Sequence, residues 1–178
     1  DLYDFLGGLG IPSACRSLVE NGIDTELYRR SLDPRECKER FGLDRERILV
    51  GAVGRLQPEK GFDVLIESAA SLLDQGLDFD LAIAGDGPEA AKLEALIRGR
   101  GHADRIRLLG HCSRTIELYQ AMDVFVLSSV REGLPNVLLE AMALQVPVVA
   151  TTVGGVSRLV QHEVTGLRIP CGNPVALA

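Results

Sequence analysis

The stretch Ile48-Leu49-Val50-Gly51-Ala52-Val53, followed by Gly54-Arg55-Leu56-Gln57-Pro58-Glu59-Lys60-Gly61, decides the fold. A continuous apolar run with no polar alternation marks a strand buried on both faces. Beyond the loop, Phe62, Leu65, Ile66, Ala69, Leu72 and Leu73 recur at helical spacing, and the stripe ends near Gly76. A strand covered on both sides and followed by an amphipathic helix is the repeating unit of a parallel sheet.

The unit recurs downstream. Phe79 to Ala84 reads as a strand, Gly85-Asp86-Gly87-Pro88 as a turn and Glu89 to Arg98 as a helix. Ile106 to Leu109 is a third strand, followed by the loop Gly110-His111-Cys112-Ser113 and a helix over Arg114 to Met122. Val124 to Leu127 leads through Glu132-Gly133-Leu134-Pro135 into an apolar helix, with Pro135 expected near its first position. Val146 to Ala150, the turn Gly154-Gly155, a short helix over Val156 to Gln161 and a last strand, Leu167 to Ile169, complete the series. Upstream, Pro34 to Phe41 reads as a helix stopped by Gly42, and Ser17 to Glu20 as a short strand closed by Asn21-Gly22. These elements predict an α/β, Rossmann-like, doubly wound parallel sheet of about six strands with helices on both faces. Residues 1–12 read as a tail or linker and residues 13–178 as the domain, with a further helix opening at Asn173 and cut short. The chain is thus expected to be a piece of a longer protein.

Composition narrows the function. The chain has 178 residues, 46% apolar and 25% charged, as a folded domain requires. A net charge of −6, 4% aromatic residues and no Trp argue against nucleic-acid binding. Cys15, Cys37, Cys112 and Cys171 lack metal-ligand spacing and read as free buried thiols of a reducing compartment, hence a cytoplasmic protein. His102, His111 and His162 are scattered, with no H-E-x-x-H, so no metal site is expected. No signal peptide is present, nor an apolar run near the ~18 residues a membrane span needs.

Right-handed crossovers carry every strand-to-helix loop to one sheet edge, where such folds bind ligands. Arg55 and Lys60 flank one loop, two cations beside a helix start that suit a diphosphate or are simply solvated. Gly85-Asp86-Gly87-Pro88-Glu89-Ala90 fits the dinucleotide pattern G-x-G-x-x-A, with Asp104 near the spacing of a ribose-binding acid. Asp86 and Glu89 would repel a pyrophosphate, so a close-packed turn is the stronger reading, with a dehydrogenase as its rival. Gly110 and His111 form a loop that can meet a base. Glu132 and Glu140 bracket a helix start that leaves backbone N–H groups free for an anion. Glu140 stands among Val137, Ala141 and Leu144, an apolar setting in which a carboxylate needs hydrogen-bond partners. Eight helical residues span ~12 Å, so the two acids could reach opposite ends of a nucleotide sugar with its phosphates between them.

Glu132 through Glu140 resembles the E-x7-E motif of retaining GT-B glycosyltransferases, specifically glycosyltransferase family 4, or group 1. The resemblance extends in order through Val19-Glu20-Asn21-Gly22-Ile23-Asp24, Gly54-Arg55-Leu56 with Pro58-Glu59-Lys60-Gly61, Gly85-Asp86-Gly87-Pro88, Asp123 to Ser129, Pro147 to Gly155, and Thr165-Gly166-Leu167 to Pro170. It covers nearly the whole chain from about Ile11. It implies the C-terminal, donor-binding half of a GT-B enzyme that uses a UDP- or GDP-sugar, needs no metal or other cofactor, and lacks here its N-terminal acceptor domain. By position in these motifs, Arg55 and Lys60 would bind the diphosphate and stabilise the leaving group. Backbone groups of Gly133, Leu134, Asn136 and Val137 would hold phosphates and sugar. Glu140 would bind the ribose, Glu132 would lie at the donor sugar, and Gly110 and His111 would meet the base. The acceptor would be a glycan or lipid, with room for a peripheral contact at the inner membrane face through the absent half. The isolated domain would transfer almost nothing. The same fold also serves sugar-nucleotide epimerases and inactive nucleotide-sugar-binding or scaffold modules. Two positions depart from the family pattern: Arg158 stands where Glu is common, and Glu163 where Gly is common.

Overall fold

The computed structural model describes residues 2–17 and 19–178. Six strands, β1 (Ile48–Val53), β2 (Phe79–Ala84), β3 (Ile106–Gly110), β4 (Val124–Leu127), β5 (Val148–Thr151) and β6 (Leu167–Ile169), form one sheet in the order β3-β2-β1-β4-β5-β6. Every named pair is parallel; β1 and β2 run in register from Ile48 beside Phe79 to Val53 beside Ala84. The chain thus builds outward from β1 through β2 to β3, then returns to place β4 on the other side of β1. This reversal sends the helices that follow β1 and β4 to opposite faces of the sheet, which opens a crevice at the carboxyl ends of the strands.

Helices α1 (Leu2–Gly8), α2 (Pro34–Arg40), α3 (Phe62–Asp74), α4 (Ala90–Arg100), α5 (Thr115–Ala121), α6 (Asn136–Ala143), α7 (Val156–Leu159) and α8 (Pro174–Leu177) connect or precede the strands. Alternation along each strand sorts the core into two layers. Leu49, Phe125, Leu127 and Ala150 pack with Tyr119, Leu138 and Cys37 on the α5–α6 side. Ala52, Leu81, Ile83 and Val126 pack with Phe62, Ile66 and Ile97 on the α3–α4 side. β2 is buried along its full length, including Asp80, whose carboxylate pairs with Arg47 and Arg105. Gly51 faces Met122 so closely that a Cβ would overlap its side chain, so the one glycine of β1 sets how near α5 approaches the sheet.

Most expected elements are present, with local differences that have physical causes. Residues 2–8, expected within a linker, are helical. The strand expected over 17–20 includes Leu18, which lies outside the described residues; Ser17, Val19 and Glu20 are not in a strand. β5 starts at Val148 because Pro147 offers only its carbonyl, which accepts from Phe125 N at 2.8 Å. Helix α6 starts at Asn136, with Pro135 as its extended cap and not its first helical residue. Cys37 is buried, but Cys15 and Cys171 are exposed, contrary to the expectation of buried thiols; all four are free. Asn173 caps α8 by accepting from Val175 N and Ala176 N. No helix among the described residues is long and apolar enough to cross a membrane.

Candidate functional site

The crevice is built by two loops that hold each other. After β1, a single 3-10 turn, Pro58–Lys60, ends at Gly61 with φ +60°. A Cβ at Gly61 would strike the Ser128 carbonyl, so this glycine permits the approach of the β4 loop. Val130 N donates to Glu59 O at 2.9 Å, and Ser128 Oγ donates to Lys60 O at 2.8 Å. The Lys60 ammonium is thereby aimed at Glu132, with Nζ 2.8 Å from Oε1. The same Oε1 accepts from Ser129 Oγ at 2.6 Å. The Glu132 side chain is only 9% exposed and that of Lys60 24%, so this pair is far more screened from water than a surface ion pair. The sequence reading assigned these residues to different parts of a ligand; the fold joins them directly.

A third loop braces the arrangement. Thr151 Oγ1, at the end of β5, donates to Ser129 O at 2.5 Å. Gly155 N donates to Gly133 O at 2.7 Å, and Gly154, at φ +49°, leaves no room for a Cβ against the Glu132 carbonyl. Among the described residues, the amides of Gly133, Leu134, Asn136 and Val137 donate to no protein atom, and no side chain caps α6. These N–H groups supply partial positive charge beside the Lys60–Glu132 pair. The helical ruler between the two acids is corrected by the structure. Only Asn136 to Glu140 is helical in that interval, because a residue preceding proline is driven from the helical region.

Glu140 has the partners its apolar surroundings require. Tyr119 Oη donates to Oε2 at 2.7 Å, and Tyr28 Oη donates to Oε1 at 3.3 Å. Tyr119 is fully buried, its ring tilted against Phe125 at 5.6 Å between centroids. Burial above all, then the adjacent carboxylate, holds the Tyr119 phenol far above its usual range; the same two causes act on Tyr28. Neither tyrosine was singled out from sequence. The one available signal was the apolar setting of Glu140, a half-buried acid that draws donors from outside its own helix. A small cleft lined by Gly22, Ile23, Asp24, Tyr28, Asn136 and Glu140 opens beside this carboxylate. Asn21 Nδ2 donates to Leu134 O at 2.9 Å and ties the Asn21-Gly22 turn to the loop before α6.

A separate cleft at the same edge gathers Gly54, Arg55, Asp86, His111, Cys112 and Thr115. Arg55 is exposed and pairs with no side chain among the described residues. His111 Nδ1 lies 4.0 Å from Asp86 Oδ2, with both side chains largely exposed. Gly110, at φ +67°, turns its carbonyl to accept from Gly85 N at 2.8 Å. Gly85 and Gly87 leave no room for a Cβ against the carbonyls of Gly54 and Leu56, and Leu56 N donates to Asp86 O at 2.7 Å. The glycines of this turn are therefore used in packing against the β1 loop. Asp104 precedes β3 and so lies at the opposite sheet edge, where it cannot complete a dinucleotide site. The structure thus brings Arg55 with His111, Lys60 with Glu132, and Glu140 with two tyrosines, all along one rim.

The profile of the glycosyl transferases group 1 family matches residues 33–178 of this chain. The chain belongs to that family. Among curated relatives, it is 40% identical over 149 residues to alpha-D-kanosaminyltransferase of Streptomyces kanamyceticus, covering 83% of this chain and 37% of that protein. It is 38% identical over 168 residues to the lipopolysaccharide core biosynthesis mannosyltransferase LpsB of Rhizobium meliloti, covering 90% and 48% respectively. The chain therefore spans about half the length of these relatives, or less. Among solved structures, Anabaena Alr3699/HepE in complex with UDP superposes with a TM-score of 0.88 at 28% identity, over 98% of this chain and 49% of that one. The HepE complex with UDP-glucose gives 0.88 and 28%, over 99% and 49%. The sheet is the Rossmann-like half of a GT-B fold.

The two departures from the family pattern now have places in this glycosyltransferase domain. Arg158, on α7, forms an ion pair with Glu20, next to the Asn21-Gly22 turn. Glu163 adopts φ +63°, the left-handed conformation that glycine takes most readily. The local backbone shape is retained there at the expense of strain in an L-residue.

Proposed function

We propose that this chain is the donor-binding half of a retaining glycosyltransferase that moves a sugar from a nucleoside diphosphate sugar to an acceptor hydroxyl. The observation that carries this reading is the Lys60–Glu132 pair set beside four free backbone N–H groups at the switch point of the sheet. A cation and aligned amides at one spot suit a diphosphate, and a fixed carboxylate beside them suits sugar hydroxyls. The HepE complexes with UDP and UDP-glucose, on the same fold, support that ligand class.

In this reading the bond from the anomeric carbon to the diphosphate oxygen breaks as the acceptor oxygen bonds to the same carbon face. The leaving diphosphate gains negative charge, which Lys60, Arg55 and the amides of Gly133, Leu134, Asn136 and Val137 offset. Fixed donors aimed at developing charge lower a barrier without reorganising. A diphosphate oxygen takes the acceptor proton. Glu132 orients the donor sugar, its carboxylate held through Oε1 by Lys60 and Ser129. Glu140 accepts from the ribose, and the Arg55–His111 cleft receives the base. With Lys60 and Arg55 supplying positive charge, no metal is required, and transfer by the full-length enzyme should withstand EDTA. The acceptor, a glycan or lipid, is bound by the portion of the protein this chain does not span, so the chain alone is expected to bind donor and transfer little.

Calorimetric titration with UDP, GDP and NADH tests the ligand class. Binding of UDP or GDP is expected; binding of NADH with neither of these would refute the reading. The anomeric configuration of the full-length enzyme's product, read by NMR, tests retention.

A further inference from the structure

The reading of Glu140 as the ribose acceptor leaves open which of its oxygens faces the ligand and what holds it there. The two oxygens are not equivalent. Oε2 is held at 2.7 Å by Tyr119, a hydroxyl delivered from the core side on a fully buried ring. No other polar partner of that hydroxyl occurs among the described residues. Oε1 receives only the 3.3 Å contact from Tyr28, which lines the open cleft with Gly22, Asp24 and Asn136. One oxygen is thus tethered and the other weakly engaged at the cleft wall. A flexible carboxylate on an exposed helix face samples several rotamers and loses that freedom on binding, whereas one pinned through a single oxygen has lost it already. The ring of Tyr119 is in turn fixed by Phe125 and the surrounding core.

We propose that Tyr119 is a positioning residue for recognition of the donor ribose: its hydroxyl fixes Glu140 so that Oε1, at the cleft, accepts from a ribose hydroxyl in place of Tyr28. The inference rests on the reading of Glu140 as a ribose-binding residue. It adds a specificity determinant that touches no substrate and acts only through another side chain. Tyr28, by contrast, serves as the stand-in donor that the ribose replaces.

The test compares UDP with 2′-deoxy- and 3′-deoxy-UDP, and GDP with 2′-deoxy- and 3′-deoxy-GDP, by calorimetric titration of the chain, its Tyr119→Phe variant and its Glu140→Gln variant. The discriminating readout is the ratio of Kd values for deoxy- and ribonucleotide, since a purely structural defect weakens both ligands alike. Wild type should favour the ribonucleotide, Glu140→Gln should remove most of that preference, and Tyr119→Phe should reduce it about threefold to tenfold, the scale of one hydrogen bond. Tyr28→Phe should leave the ratio unchanged or raise it, because its contact with Glu140 is given up when the ribose binds and kept when the deoxy sugar does; a lowered ratio would overturn its part as the stand-in donor. If Glu140→Gln removes the preference and Tyr119→Phe leaves it intact, the positioning role is overturned while the ribose site stands. If wild type shows no preference, or binds neither nucleotide, the ribose assignment fails and the inference with it. Thermal unfolding of Tyr119→Phe confirms that the ratio is measured on folded protein.

Discussion

Replacing Lys60 by Met keeps the aliphatic stem and removes the charge that faces Glu132. The carboxylate would then be left 9% exposed with a single remaining donor, Ser129 Oγ at 2.6 Å. Removing one partner of a buried pair costs ~3–5 kcal/mol, because an uncompensated charge is left behind. The surviving Ser129 bond and the partial exposure of Lys60 reduce this to an expected ~2–3 kcal/mol. Glu132→Gln should cost about 1 kcal/mol, since Lys60 can turn toward solvent and an amide oxygen still accepts from Ser129. The double variant leaves neither charge stranded and should lie ~1–1.5 kcal/mol below wild type, giving a coupling of about 2 kcal/mol in the cycle. Urea unfolding of the four proteins measures these values. UDP binding supplies a second cycle on the same variants: Lys60→Met both removes a cation and leaves Glu132 repelling the phosphates, so Glu132→Gln should restore part of the affinity in the Lys60→Met background. Additive stabilities, with Lys60→Met within 0.5 kcal/mol of wild type, would refute the claim that these side chains form one screened unit.

Three further outcomes follow from single positions. Gly154→Ala places a Cβ against the Glu132 carbonyl at φ +49°, so it should destabilise by ~2 kcal/mol or more and abolish UDP binding, readable by denaturation and calorimetry. Glu163→Gly relieves a left-handed L-residue at some entropic cost, for a net gain of about 0.5–1 kcal/mol and a rise of ~1–4 °C in Tm by calorimetric scan. Tyr119 should make the fold sensitive to alkali. Its folded phenol stays protonated above the usual range while the unfolded one ionises near pH ~10, so the native state binds the extra proton and stability falls by about 1.4 kcal/mol per pH unit above that point, with no contribution at neutral pH. Tyr119→Phe should show a shallower alkaline decline in denaturation midpoint; an unchanged slope would mean that this phenol ionises in the folded state.

The central strands were legible because burial leaves a nearly continuous apolar signature: β1, β2 and β4 begin and end where the sequence pattern says, and so does β6, a short and partly exposed edge strand. The close-packed turn at Gly85 and Gly87 was also legible, whereas Gly61 and Gly154 read only as a helix opening and a turn, and their contacts with another loop's backbone appear in the fold alone. Element pairing across long sequence intervals was not. Glu132 meets Lys60 across 72 residues and Glu140 meets Tyr28 across 112, and no local periodicity encodes either contact. The apolar neighbours of Glu140 signalled that donors must exist without identifying them. Pro135 could be placed near the helix start, but its role as cap and not first residue depends on the extended backbone on either side of it, which the pattern of residue types does not resolve.

The organisation of the rim follows from the strand order. Because β4 lies beside β1, two loops that are distant in sequence leave the sheet as neighbours, and the glycine at position 61 lets them touch. That contact delivers a lysine to a glutamate. Because β5 lies beside β4, its Gly154-Gly155 turn reaches back to clamp the same glutamate's peptide. Glu132, carried by the loop after β4, is therefore held by two other loops, the one after β5 through backbone contacts and the one after β1 through an ammonium group. A carboxylate held this way cannot relax when a phosphate arrives, so a ligand that displaces the ammonium from Oε1 must return a donor to it. A sugar hydroxyl covalently linked to that phosphate meets this requirement, and inorganic diphosphate does not. The pairing of Lys60 with Glu132 thus favours a ligand carrying phosphate and hydroxyl groups in one molecule, and a UDP-sugar that bound no more tightly than UDP at equal ionic strength would count against it.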